Sequence, residues 1–264
     1  MIHDVIAAVF PDERLHELYR KLQSTFTVAE LARYECPCLP YVGRDWGASG
    51  TKRVLYIGKN PDGWSFEGFR TLKDAVEQQA SAVQLAHLID NFVLQEWAHP
   101  GPGKHSSPFR NLLLRFTVGI LTGAPALPSL EPSKLHARRA FGSLAYSNVF
   151  KTAARCHPNK NEYAVERTMA DFHLQSFNTL PEEVEHLQPD FIIFATSYDH
   201  DCYLRQIFPA MQLVPLSPEL HPQHAAQLLG IYDRALVVRC RHPQGWDNQS
   251  LQTLYKAMMS RKNA

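Results

Sequence analysis

Four short apolar runs punctuate the chain, and each ends in a polar cluster. Val54-Leu55-Tyr56-Ile57 runs into Gly58-Lys59-Asn60-Pro61. A second run, at about 143–147, ends at Asn148. A third is Phe191-Ile192-Ile193-Phe194-Ala195-Thr196, and the last is Ala235-Leu236-Val237-Val238, leading into Arg239-Cys240-Arg241-His242-Pro243-Gln244. Apolar runs of this length, without strict alternation, read as strands buried on both faces, the pattern of a parallel sheet. Between them, apolar residues at helical spacing predict helices at about 12–34, 71–96, 109–121, 166–186, 199–208 and 248–260. Thr27-Val28-Ala29-Glu30 has the form of a capping box that restarts the first of these. Asp247 or Asn248 is the expected N-cap of the last. Glycine, proline and polar residues predict loops at about 36–50, 99–108, 122–133 and 151–163.

Strands alternating with helices predict an α/β protein: a three-layer αβα sandwich with a central four-stranded parallel sheet. The expected organisation is one domain over 1–264, with an N-terminal helical extension at about 1–35 and an inserted segment at about 98–140. There is no internal repeat and no low-complexity tract. In an open sheet of this kind, ligands bind outside the carboxyl ends of the strands. Asn60 and His242, far apart in sequence, are therefore expected to serve one pocket.

Composition narrows the picture only a little. A net charge of +1 does not announce a nucleic-acid binder, although 13 histidines leave room for a pH-dependent positive face. The start, Met1-Ile2-His3-Asp4, lacks the basic and apolar regions of a signal peptide, and no stretch approaches a membrane span. The expectation is a cytoplasmic monomer without a membrane partner. Five scattered cysteines fit reduced thiols or metal ligands better than a disulfide framework.

The polar clusters carry a resemblance. Gly58-Lys59-Asn60-Pro61 resembles the G-x-(D/N/A)-P motif of the uracil-DNA glycosylase superfamily, and His242-Pro243-Gln244 resembles its H-P-S motif. Tyr146-Ser147-Asn148-Val149-Phe150-Lys151 is similar to the TNVVK stretch of the iron–sulfur-containing members, and Leu187-Gln188-Pro189-Asp190-Phe191-Ile192-Ile193 to their third strand. The order of motifs matches from about residue 36 to 260. Two positions depart from the common pattern: Gln244 stands where serine is usual, and Asn60 where the commonest branch has aspartate.

The resemblance implies hydrolysis of the N-glycosidic bond of an extruded uracil, or another deaminated or modified base, in single- or double-stranded DNA, as in base excision repair. Such a reaction needs a positioned water and stabilisation of the negative charge that develops on the leaving base. Asn60 is the candidate for positioning water; on its own, Asn-Pro is also a turn signal. His242 is the candidate for stabilising the leaving base or contacting a nearby phosphate. Asn148, with a donor and an acceptor on one amide, is the candidate base reader. Gly58 belongs to the same base-binding set, and Phe66 or Phe69 is the expected stacking aromatic, Phe66 being favoured by the Phe66-Glu67-Gly68 sequence. Lys104, Lys151, Arg241 and Gln244 are the candidate DNA contacts.

The iron–sulfur branch implies four thiolates. Cys36, Cys38, Cys156 and Cys202 are the available candidates, but Cys36-Pro37-Cys38 has the wrong first spacing and Cys202 follows the third strand rather than preceding it. Zinc held by Cys36, Cys38, Cys156 and a histidine such as His157 is an alternative. The expectation is no cofactor and free cysteines. Two other readings of the chain stay open: a non-catalytic DNA-binding module of the same fold, and an enzyme acting on hypermodified bases or on free nucleosides or nucleotides.

Overall fold

The computed structural model of the chain describes residues 2–61, 68–93, 108–128, 134–157, 160–196, 198–215, 228–232, 234–240 and 248–262. The N-terminal helices are α1 (Ile2–Val9), α2 (Asp12–Thr25) and α3 (Val28–Leu31). Strands β1 (Tyr41–Val42) and β2 (Val54–Gly58) follow, then α4 (Leu72–Glu77), α5 (Ala82–Phe92), α6 (Pro108–Thr122) and α7 (Lys134–Ser143). Next come β3 (Leu144–Asn148), the hairpin β4 (Ala154–His157) and β5 (Lys160–Ala164), α8 (Arg167–Ser176) and α9 (Leu180–Leu187). The chain continues through β6 (Phe191–Phe194), a 3-10 turn at Tyr198–His200, α10 (Asp201–Ile207), β7 (Gln212–Pro215), β8 (Leu228–Tyr232), β9 (Ala235–Arg239) and α11 (Asn248–Lys262).

The protein is α/β. All four predicted strands form, as β2, β3, β6 and β9, and they are neighbours in the order β3-β2-β6-β9. The sheet is wider than expected: seven strands among the described residues, in the order β1-β3-β2-β6-β9-β8-β7. β2 pairs with β6 and β6 with β9 in parallel, in the registers Val54↔Phe191 and Phe191↔Leu236. β8 and β7 then extend the edge antiparallel, through Leu229↔Val238 and Leu213↔Gly230. β2, β3, β6 and β9 are buried at every residue, which explains why they read as unbroken apolar runs. β1 has two residues, β7 is a short stretch ending in proline, and the apolar run of β8, Leu228-Leu229-Gly230-Ile231-Tyr232, is broken by glycine, so the reading of the sequence did not announce them. The order reverses between β2 and β6, the switch point at which ligands collect in doubly wound sheets.

Several helices break where one was expected. The Thr27 capping box does restart the first, its hydroxyl accepting from the Glu30 amide at 3.2 Å while the Glu30 carboxylate accepts from the Thr27 amide at 2.7 Å. The segment at 71–96 is two helices, divided near Gln79, whose φ of 50° cannot continue a right-handed helix. The segment at 166–186 divides between Ser176 and Leu180 into α8 and α9. The β4–β5 hairpin stands where a loop was expected, and helix α7 occupies residues for which no element was predicted.

The chain sorts into two compact units, each made of three segments: 1–41, 58–91 and 147–187 in the first, and 42–57, 92–146 and 188–264 in the second. In the first, α1 packs on α9, and α4 on α2 and α3. Phe10 meets Phe177 edge-on at 5.7 Å, Phe26 meets Phe172 at 5.5 Å, and the buried Tyr19 hydroxyl donates to the Ala80 carbonyl at 2.7 Å. In the second, α11 packs on α6 and β9, with Phe116 edge-on to Tyr255 at 5.6 Å. Buried Tyr56 ties the sheet to α6 through Leu113 O at 3.1 Å and Thr117 Oγ1 at 2.9 Å. Arg115, also buried, joins α6 to Asn248 Oδ1 at 2.6 Å and to the Pro128 carbonyl at 2.7 Å. Among the described residues, no helix is long and apolar enough to cross a membrane.

Gly43 follows β1 and donates to Leu144 O at 2.9 Å. A Cβ at this position would run into the carbonyl oxygens of Phe141 and Gly142. Gly43→Ala is expected to lower stability by about 1–3 kcal/mol, the usual cost of overpacking against backbone. Urea unfolding checks this, and a change within error would show that the β1–β3 contact has slack.

Candidate functional site

The glycine-asparagine motif and the SNVFK stretch lie against each other. Both follow fully buried apolar strands, β2 and β3, that are neighbours in the sheet. Backbone bonds continue the pairing past the strand ends: Val149 N donates to Gly58 O at 2.9 Å and Phe150 N to Lys59 O at 3.0 Å. Gly58 is buried and Asn60 partly buried. The Asn60 amide donates to the Pro61 carbonyl at 2.9 Å, the local bond of a turn residue.

The SNVFK turn is an enclosed polar region. Ser147, Asn148 and Lys151 are each 0% exposed. Lys151 Nζ donates to Ser147 Oγ at 2.6 Å and sits 2.6 Å from Glu183 Oε1. Glu183, equally enclosed, also accepts from Thr179 Oγ1 at 2.7 Å. A lysine and a glutamate buried together are tolerable because each neutralises the other and hydrogen bonds help complete the shell. The completion is partial: Glu183 Oε2 is buried without a hydrogen-bond partner among the described residues. Lys151 was expected to contact DNA. Its ammonium is instead committed inside the protein, and a phosphate contact would require breaking this pair.

The segment carrying Cys36 and Cys38 runs antiparallel to the end of that turn. Cys38 N donates to Lys151 O at 2.6 Å, Glu35 N to Ala153 O at 2.9 Å, and Thr152 Oγ1 to Glu35 O at 2.5 Å. Both thiols are buried and free. Asn148 Nδ2 donates to Cys38 Sγ at 3.2 Å. Burial pushes the Cys38 thiol up to about 12, against the opposing pull of Lys151 and the Asn148 bond. Burial likewise raises Cys36, with Cys38 adding to it.

The same pairing bears on the metal question. Tyr34 bridges Ala154, so the backbone carries position 156 away from Cys38 rather than toward it. Cys202 is exposed on α10, its thiol facing the Asp199 carbonyl at 3.8 Å. Among the described residues, no three His, Cys, Asp or Glu side chains converge as metal ligands. The cysteine pair at 36 and 38 therefore does not make a described cluster site; the Cys156 side chain lies outside the described residues.

His173, on α8, is 3% exposed and stacks on Phe177 at 5.4 Å with Phe150 edge-on at 5.7 Å. Among the described residues, neither ring nitrogen finds a hydrogen-bond partner. Burial first, and then the Lys151 ammonium, hold its imidazole down at about 3.

Phe69 is partly buried. Phe66, Lys104, Arg241, His242 and Gln244 lie outside the described residues. Arg239, two positions before Arg241, is buried, with Nη2 on Asp201 Oδ2 at 2.6 Å. Ser147, Thr179, Glu183 and His173 escaped the sequence reading. Glu183 had a signal: it shares the buried stripe Leu180, Glu183, Val184 and Leu187, a carboxylate at a position that faces the core. Comparison with protein-family models finds none that matches the chain, and comparison with curated proteins finds no match either.

Lys151→Met leaves Glu183 buried without its counter-charge and should cost about 3–5 kcal/mol, whereas Lys151→Met/Glu183→Leu should recover most of that loss. Urea unfolding of the three proteins checks both. Between pH 6.5 and about 3 the unfolded chain protonates position 173 while the folded one does not, so stability falls as pH drops through that window. In His173→Phe the dependence there should flatten by about 1.4 kcal/mol per pH unit. Equal slopes in the two proteins would contradict a neutral buried imidazole.

Proposed function

We propose that the chain is a uracil-DNA-glycosylase-like protein, with helices on both faces of its sheet, acting on an extruded base in DNA. The observation that supports this most is the backbone bonding of Gly58 and Lys59 to Val149 and Phe150, because it unites the first and central motifs at the ends of neighbouring strands. The reversal of strand order beside β2 supports a ligand crevice at that end. In this reading the bond between C1′ and the base breaks, water delivers hydroxide to C1′, and its proton ends on the departing base. Asn60 positions the water, His242 stabilises the base anion, and Asn148 reads the base edge. Asparagine is no base, so the expected rate is modest.

A second reading, a DNA-binding module that does not cut, is favoured by the Asn60 amide's bond to its neighbour Pro61. Incubation with single- and double-stranded oligonucleotides containing uracil, hypoxanthine or xanthine, followed by alkali, separates the two. Excision predicts strand scission that drops by about 10²-fold or more in Asn60→Ala, with the unfolding midpoint shifted little. Binding with no abasic product in any substrate supports the module instead.

A further inference from the structure

Lys151 and Glu183 hold each other, yet between them they leave bonding capacity unused. An ammonium carries three hydrogens. One goes to Ser147 Oγ at 2.6 Å and one to Glu183 Oε1 at 2.6 Å; among the described residues, the third meets no acceptor. On the carboxylate, Oε1 takes both the ammonium and the Thr179 hydroxyl, the latter at 2.7 Å. Oε2 accepts from nothing among the described residues. A charged donor and a charged acceptor are thus left over on one ion pair. The two oxygens of a carboxylate are closer together than a hydrogen bond is long. Both leftover groups therefore lie within the span of one small molecule.

Burial gives that surplus its weight. Lys151, Glu183, Ser147 and Thr179 are each 0% exposed, so bulk solvent does not supply the missing bonds. A buried charged group that lacks them is costly. The chemistry of the pair selects what can supply them. A cation drawn to Oε2 is repelled by the ammonium, and an anion drawn to the ammonium is repelled by the carboxylate. The pair is neutral as a whole, which favours a neutral molecule that accepts from Nζ and donates to Oε2 at once. In an enclosed interior, water is the molecule small enough to do both. Buried waters take roughly two to four polar partners, and these two groups meet the lower figure. The same interior holds further unmet capacity in His173, 3% exposed, whose ring nitrogens are both unbonded among the described residues. Phe150, next to Lys151 in the chain, lies edge-on to that ring at 5.7 Å.

We propose that the first compact unit binds an enclosed structural water, which accepts from the third hydrogen of Lys151 Nζ, donates to Glu183 Oε2 and so completes the shell of the ion pair. This site stands or falls independently of the glycosylase reading. It is a fixed part of the fold, and its water exchanges with solvent only when the unit opens.

Two measurements on the full chain test it. The first is a crystal structure fine enough to show ordered water. The expected result is an isolated peak within about 3.2 Å of both Lys151 Nζ and Glu183 Oε2. An intact ion pair with no peak there, a heavier scatterer in its place, or a protein group bonded to Oε2 overturns the site. The second is oxygen-17 relaxation dispersion of water, which counts long-lived internal waters in solution, on wild type and Lys151→Met/Glu183→Leu. An apolar replacement leaves nothing to hold the molecule, so the count is expected to fall by about one. An unchanged count in the folded double variant overturns the site. If the double variant does not fold, the wild-type crystal structure decides alone.

Discussion

A lysine with no solvent exposure is stable only beside a carboxylate, and the Lys151–Glu183 pair meets that demand at 2.6 Å. The rest of the candidate site hangs from this pair. Ser147 is bonded to the same ammonium, Thr179 to the same carboxylate, and the carbonyl of Lys151 holds the amide of Cys38. Asn148 sits between, bonded to the Cys38 sulfur. Burying charge is a costly way to hold a turn, and a well-packed apolar substitute is often as stable. Its usefulness lies in direction: an ammonium bonded at once to a strand end and a helix leaves that turn few alternative arrangements.

The sheet supplies the frame. β2, β6 and β9 pair in parallel, and β3 lies on the other side of β2, so chain order reverses beside the strand that leads into Asn60. Backbone bonds then carry the pairing of β2 and β3 beyond their ends into both motifs. A polar residue at this point gains a fixed backbone without any special loop. The antiparallel strands β8 and β7 widen the far edge and leave this arrangement untouched.

Buried titratable groups recur around the same turn: two thiols raised by desolvation and an imidazole lowered by it. Each is held in its neutral form by lack of water, while the Lys151–Glu183 pair balances its own charge. The consequence is an interior that favours neutral pH, since acid must charge His173 in the unfolded chain first.

The four inner strands were legible because an unbroken apolar run is a local signal that burial on both faces imposes. The Thr27 capping box was legible for the same reason: its partners are three residues apart. Helix breaks near Gln79 and at 177–179 were not, because the apolar spacing carries on across them. Strands β7 and β8, whose short apolar stretches are interrupted by proline or glycine, form by adding to an existing edge, which only the completed sheet offers. Of the site, the residue types at 60 and 148 and the cysteines at 36 and 38 stood out in the sequence. Their relations did not. Asn148 and Cys38 are 110 positions apart, and nothing local distinguishes a lysine bound for solvent from one bound for Glu183. By itself the sequence determined which segments must be buried and where the polar clusters end them. The tertiary structure alone decided which polar group meets which, because that choice depends on desolvation and counter-charge, and both exist only once distant segments have packed.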